Sequence, residues 1–225
     1  MEWTLRVVRR VSQKDERAEG KLIRVSNQKK ERIMLRKRLA AMFIPVAITI
    51  TGAAFASAPA SGGADTTEKA AQLSENFSVL HAVNQWSVKL SEMADKRAQS
   101  DLVKGYARTI ATANPNSDAK LVAVAQKHGI DIAPMDPQTE EGKSLLDRMN
   151  AETVLLSSLE GDAFDKEYMT LVTNTQQSVI HVLQTSKALA KDQDVKQLFG
   201  DLTTTVQNRL KTAQDIMAKV YGNEV

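Results

Sequence analysis

From Asp65 to the C-terminus, apolar side chains recur at helical spacing and nowhere alternate at period two. Ala70, Leu73, Phe77, Leu80, Val83, Leu90 and Ala94 form one such stripe. At 3.6 residues per turn these positions share a face that only burial against other helices can satisfy. Further stripes follow: Leu102, Val103, Tyr106, Ala107 and Ile110, continued by Leu121, Val122, Val124 and Ala125; then Leu145, Leu146, Met149, Val154, Leu155 and Leu159; then Phe164, Tyr168, Leu171, Val172, Val179, Val182, Leu183 and Leu189; and last Val195, Leu198, Phe199, Leu202, Val206, Ala213, Ile216, Met217 and Val220. Only 4% of residues are aromatic, fewer than a β-rich fold wants. Four long helices and one short one, joined by loops of a few residues, predict an all-α up-and-down bundle over 65–225.

Punctuation residues set the expected ends. Asp65 with Glu68 reads as a capping box. The second helix starts near Ser100, and Gly129 closes it in a left-handed cap with Ile130 folding back. Asp136-Pro137 reads as N-cap and N1 of the short helix, which runs to Gly161. Asp162 is expected to cap the fourth helix, and Asp194 with Gln197 the fifth. Pro115 interrupts the second helix: it has no N–H and its ring crowds the preceding turn, so a kink or restart is expected, with Asn114 as the new N-cap.

Upstream the composition changes. Residues 34–56 combine Arg36, Lys37 and Arg38 with an uncharged run from Leu39 to Ile50 and a small-x-small end at Ala54-Phe55-Ala56. These are the three parts of a signal peptide. An uncleaved anchor would need about 20 apolar residues, and residues 39–56 number 18 and include Pro45 and Gly52. Either way the cationic end stays cytoplasmic and the rest crosses the membrane, so the periplasm is the expected location, with no stable anchor after cleavage. Residues 1–33 read either as an upstream extension from a start assigned too early, with Met34 the initiator, or as a basic cytoplasmic segment lying on anionic lipid. Ser57–Ala64 is small and polar-flexible, a linker. Residues 57–225 hold 17 Lys and Arg against 22 Asp and Glu, with no basic stripe interleaved with aromatics, so nucleic acid is not an expected partner.

Chemistry is sparse. Cysteine is absent, which excludes disulfides, thiolate metal sites and lipidated cysteine. The three histidines, His81, His128 and His181, have no Glu three residues before them, so the Glu-x-x-His pairs of di-metal bundles are missing. His128 is read as a helix C-terminal cation, and His81 and His181 as solvated or singly hydrogen-bonded groups. Asp162, Asp165 and Glu167 are read as charging a helix start. No triad and no glycine-rich phosphate loop occurs.

Gly161-Asp-Ala-Phe-Asp-Lys-Glu-Tyr resembles the Gly-x-x-Phe-Asp-x-x-Tyr signature of a bacterial exported family of unknown function, often labelled "predicted outer membrane protein". Gly161, Phe164, Asp165 and Tyr168 carry the likeness. Phe77, Ala82 and Asn84, Tyr106-Ala107, Leu121 to Gly129, and Leu210 with Ala213 are similar to its other landmarks, so the resemblance spans about 68–220. It implies a ferritin-like four-helix bundle. It also implies a metal site, built from a Glu on the first helix, two Asp-His pairs and a His near the end. Counted onto this chain, those positions hold Ser87, Ala113-Asn114, Thr175-Gln176 and Arg209. Amides and hydroxyls are poor transition-metal ligands, and an arginine adds a fixed charge where the cation would sit. The chain therefore reads as a divergent member without metal or other cofactor.

By spacing, Asn114 and Gln176 lie on the apolar stripes, which predicts a hydrogen-bonded polar layer across the bundle. The alternative has Arg209 snorkelling to solvent and the others at the stripe's edge. The expected function is that of an exported, non-catalytic helical module with an unknown protein partner in the cell envelope, either an interaction or a stress-associated role. The alternative is a ferritin-like metal-binding or redox protein. An apolar-ligand carrier is a third, weaker reading. Oligomeric state is open.

Overall fold

A computed structural model describes residues 62–222. The expected signal peptide at 34–56, the segment before it and the first residues of the linker lie outside the described residues. Among those described, five helices and no strand occur: α1 (Gly62–Arg97), α2 (Asp101–Lys127), α3 (Glu140–Ser157), α4 (Gly161–Leu189) and α5 (Gln193–Tyr221). The expected linker through residue 64 is thus shortened, because helix already starts at Gly62. Asp65 consequently lies inside α1 rather than capping it.

The principal contacts pair α1 with α2, α4 with α5, α1 with α4 and α2 with α5, which closes a ring of four. The C-terminal part of α1, the start of α2, the start of α4 and the end of α5 share one apolar cluster. Accordingly α2 and α4 run in the same direction across the diagonal, and the chain between them climbs the length of the bundle. This single long crossover is the ferritin-like topology. It is pinned along its course by Ser74 Oγ donating to the Asp131 carbonyl at 2.7 Å, Trp86 Nε1 donating to Thr153 Oγ1 at 3.0 Å and Arg97 Nη2 donating to the Leu159 carbonyl at 2.7 Å.

Several boundaries differ from expectation, each for a local reason. Helix α2 runs unbroken through Pro115. The proline is exposed, so its ring faces water, while Ile110, Asn114, Leu121 and Ala125 are buried on the other side. Packing of that face outweighs one missing backbone bond. Asn114 is therefore a mid-helix residue and not an N-cap. At α3 the cap is Thr139, whose hydroxyl accepts from the Gly142 amide at 3.1 Å, while Asp136 makes a local turn by accepting from the Gln138 amide at 2.8 Å. Gly161, at φ +58°, opens α4 instead of closing α3, which ends at Ser157. Asp162 stands in the first turn of α4. Asp192 is the N-cap residue of α5. The carboxylate of Asp194 accepts from Lys127 Nζ at 2.6 Å and lies 2.7 Å from His128 Nε2, tying the end of α2 to the start of α5. Those two partners, Lys127 first, hold the Asp194 carboxyl well below the usual carboxylate range. Gly129, at φ +63°, and the Ile130 amide donating to the Ala125 carbonyl at 2.9 Å form the expected cap of α2.

Candidate functional site

The interior consists of two apolar cores. One gathers Leu90, Val103, Ile110, Phe164, Tyr168 and Ala213 with their neighbours; the other gathers Phe77, Leu80, Leu121, Leu183, Phe199 and Val206 with theirs. Each of the four long helices passes through a polar position at one level: Ser87 on α1, Asn114 on α2, Gln176 on α4 and Arg209 on α5. A cavity of about 40 Å³ lies at this level, with these four and Thr175 in its wall.

The layer is hydrogen-bonded. Arg209 Nη1 donates to Asn114 Oδ1 at 2.7 Å and Nη2 donates to Ser117 Oγ at 3.4 Å. Gln176 Nε2 donates to the hydroxyl of Tyr106, which in turn donates to the Arg209 carbonyl at 3.3 Å. Arg209 is thereby drawn inward instead of snorkelling free. Burial lowers its pKa, opposed by Tyr106, and burial pushes the Tyr106 hydroxyl up to about 12, so the phenol stays protonated at neutral pH. Ala113 is half-buried and takes part only through its carbonyl, which accepts from Ser117 Oγ at 3.2 Å. The sequence places Tyr106 on the apolar stripe and not in the polar layer, and does not single out Ser117, which lies three residues after Asn114, one helical turn away; that spacing was the available signal.

Gly161, Phe164, Asp165 and Tyr168 lie elsewhere, at the corner where α1 turns into α2. Asp165, 1% exposed, accepts from the Gln99 amide at 3.0 Å and the Ser100 amide at 2.7 Å. It caps a helix, but α2 rather than its own. Tyr168 is fully buried with its hydroxyl 2.9 Å from Ser91 Oγ. Phe164 is also fully buried, with the Arg97 guanidinium 5.0 Å from its ring centroid. Gly161 lies against Gln99, whose Oε1 would sit 3.1 Å from an added Cβ.

The histidines are dispersed. His81 Nδ1 lies 2.9 Å from Asp118 Oδ1 and its Nε2 lies 2.8 Å from Gln85 Nε2, two polar neighbours where one at most was expected. His128 joins Asp194 and lies 3.5 Å from Asp192; His181 is exposed. Among the described residues no group of three or more His, Cys, Asp or Glu side chains gathers as a metal site. The residues at the positions where the resemblance implies metal ligands do not suit a cation, because the guanidinium of Arg209 is hydrogen-bonded to Asn114 among them. No described helix is long and apolar enough to cross a membrane.

Residues 57–216 match the family model described as a domain of unknown function, DUF4142. The chain belongs to the DUF4142 family. No curated protein matches it. Among solved structures it is similar to a DUF305 protein of Streptomyces coelicolor described as secreted, at 18% identity and a TM-score of 0.53, over 67% of this chain and 93% of that one. It is similar too to a DUF305 fragment from Deinococcus radiodurans, at 16% identity and a TM-score of 0.56, over 66% and 97%. A third similar structure is CopM in its Cu(I)-bound form, at 16% identity and a TM-score of 0.51, over 66% and 97%. At these identities the likeness is one of fold.

Proposed function

We propose that this DUF4142 chain is an exported, non-catalytic helical module of the periplasm, an interaction or stress-associated protein that keeps the ferritin-like bundle without its metal chemistry. The reading treats Gly161, Phe164, Asp165 and Tyr168 as the family's structural signature and the chain as a divergent member at Ser87, Ala113-Asn114, Thr175-Gln176 and Arg209. One observation carries it: the Arg209 guanidinium, 2.7 Å from Asn114 Oδ1, occupies the middle of the bundle with its own fixed positive charge. Export is supported by the signal-like segment at 34–56 and by the secreted protein among the similar folds.

The alternative is a metal-binding or redox role, which the Cu(I)-bound CopM brings forward through fold alone. Metal analysis of protein purified from the periplasm, with melting in the presence of Fe, Mn, Zn and Cu(I), separates the two. The first reading expects no stoichiometric metal and no metal-dependent rise in melting temperature, since a ligand that binds the native state stabilises it. Stoichiometric metal overturns it. Crosslinking in intact cells, read by mass spectrometry, tests for the envelope partner.

A further inference from the structure

Helix α3 carries one residue that its position does not favour. Met149 and Leu156 are buried apolar side chains of this helix, and Glu152, three residues after the one and four before the other, shares their face. Its carboxyl is half-buried and makes no hydrogen bond among the described residues. The charged groups that face it are Arg148, on α3 itself, and Glu167, on α4. Between Trp86 and Arg97, α1 carries Lys89, Glu92, Asp95, Lys96 and Arg97. Asp95 pairs with Arg108 at 2.7 Å, Arg97 donates to the Ser157 and Leu159 carbonyls, and none of the five pairs with Glu152.

The two sides of α3 are held differently. Toward α1 it is bonded: Trp86 Nε1 donates to Thr153 Oγ1 at 3.0 Å and Arg97 Nη1 to the Ser157 carbonyl at 3.2 Å. Toward α4 no hydrogen bond leaves α3 among the described residues, and Glu152 and Glu167 bring like charge together. Trp86 also stands in the cavity wall, with Leu171, Val172 and Thr175 of α4. We propose that α3 is a pH-governed strap: with Glu152 protonated it is seated on α1 and α4, and with Glu152 ionised its α4 edge opens more often while the bonds to α1 hold, uncovering the Trp86 side of the cavity. A carboxylate between Met149 and Leu156, beside a second carboxylate, is costly to bury, whereas the neutral acid is tolerated. Burial, aided by Glu167 and opposed by Arg148, accordingly pushes this carboxyl up to about 7. The seated state is fully favoured below the ordinary 4.5 and loses ground as pH rises toward about 7, above which both states are ionised. A short helix bonded along one side can open without the rest of the chain unfolding. The inference stands apart from the export and metal readings.

Hydrogen exchange of the full chain from about pH 4.5 to about 8, corrected for the intrinsic pH dependence of amide exchange, tests this. Amides of α3 are expected to exchange faster than those of α4 and α5 throughout, the mark of local opening. Their corrected rate should rise about fivefold up to about pH 7 and then level off, a modest rise because solvent screens a partly exposed group. Glu152→Gln should remove the rise, since an uncharged amide of the same size does not titrate. Glu167→Gln should shrink it and Arg148→Gln enlarge it, opposite directions that a general loss of fold does not produce. An undiminished rise in Glu152→Gln overturns the proposal, because the response would then belong to another group such as a histidine. So does a flat profile in the wild type, or α3 amides exchanging only as fast as those of α4 and α5, which would mean that α3 opens only when the whole bundle unfolds.

Discussion

The carboxylate of Asp165 lies 2.7 Å from the amide nitrogen of Ser100, the N-cap residue of α2 and 65 residues away in sequence. A turn of three residues between α1 and α2 leaves backbone N–H groups with no helical acceptor, and a buried side chain of α4 supplies it. Replacing it by alanine removes a charged acceptor and leaves buried donors unsatisfied. Asp165→Ala is expected to lose about 3 kcal/mol of stability, read by urea unfolding. A loss under about 0.5 kcal/mol would mean that water serves the turn equally well.

Tyr168 and Ser91 form an isolated buried pair, hydroxyl to hydroxyl, at 2.9 Å. Tyr168→Phe should cost about 1–2 kcal/mol because Ser91 is left buried without a partner. Adding Ser91→Ala to it should cost little more, since both polar groups are then gone. Full additivity in a double-mutant cycle would show that the bond contributes nothing.

Pro115 sits inside a continuous helix with its side chain exposed. Pro115→Ala restores an N–H and removes ring crowding, so the melting temperature should rise, corresponding to about 2 kcal/mol. A fall in melting temperature would show that the unbroken helix depends on the rigid ring.

Glu152, half-buried on α3, has a carboxyl that burial, aided by Glu167 and opposed by Arg148, pushes up to about 7 from an ordinary 4.5. The folded chain therefore holds this proton more tightly than the unfolded chain. Its contribution is fully present below 4.5 and is lost as pH rises through about 7. Over that window Glu152→Gln should flatten the fall in stability by at most about 1 kcal/mol, once solvent screening of a partly exposed group is allowed for. Equal slopes for variant and wild type in melting curves from pH 4.5 to 8 would remove Glu152 from the account.

The number and type of the helices followed from residues close together in the chain. A stripe such as Leu198, Phe199, Leu202 and Val206 repeats at 3.6 whatever it packs against, and Gly129 takes a left-handed backbone for local steric reasons. Placing Asn114 and Gln176 inside the bundle needed nothing more than their register with Ile110 and Val172. Helix ends were harder to read. Pro115 and Asp194 each carry a local preference that tertiary contacts override, since a buried face holds α2 together and Asp194 turns to Lys127 and His128, whereas Asp136 loses the cap of α3 to a local competitor, Thr139. A polar layer was expected, but its individual pairings between residues distant in sequence could not be read. That Asp165 caps α2, that Arg209 meets Asn114 and Ser117, and that Gln176 is left with one unmet oxygen are decided by how four helices close into a ring, because a side chain's register names the face it occupies and not the group it will find there.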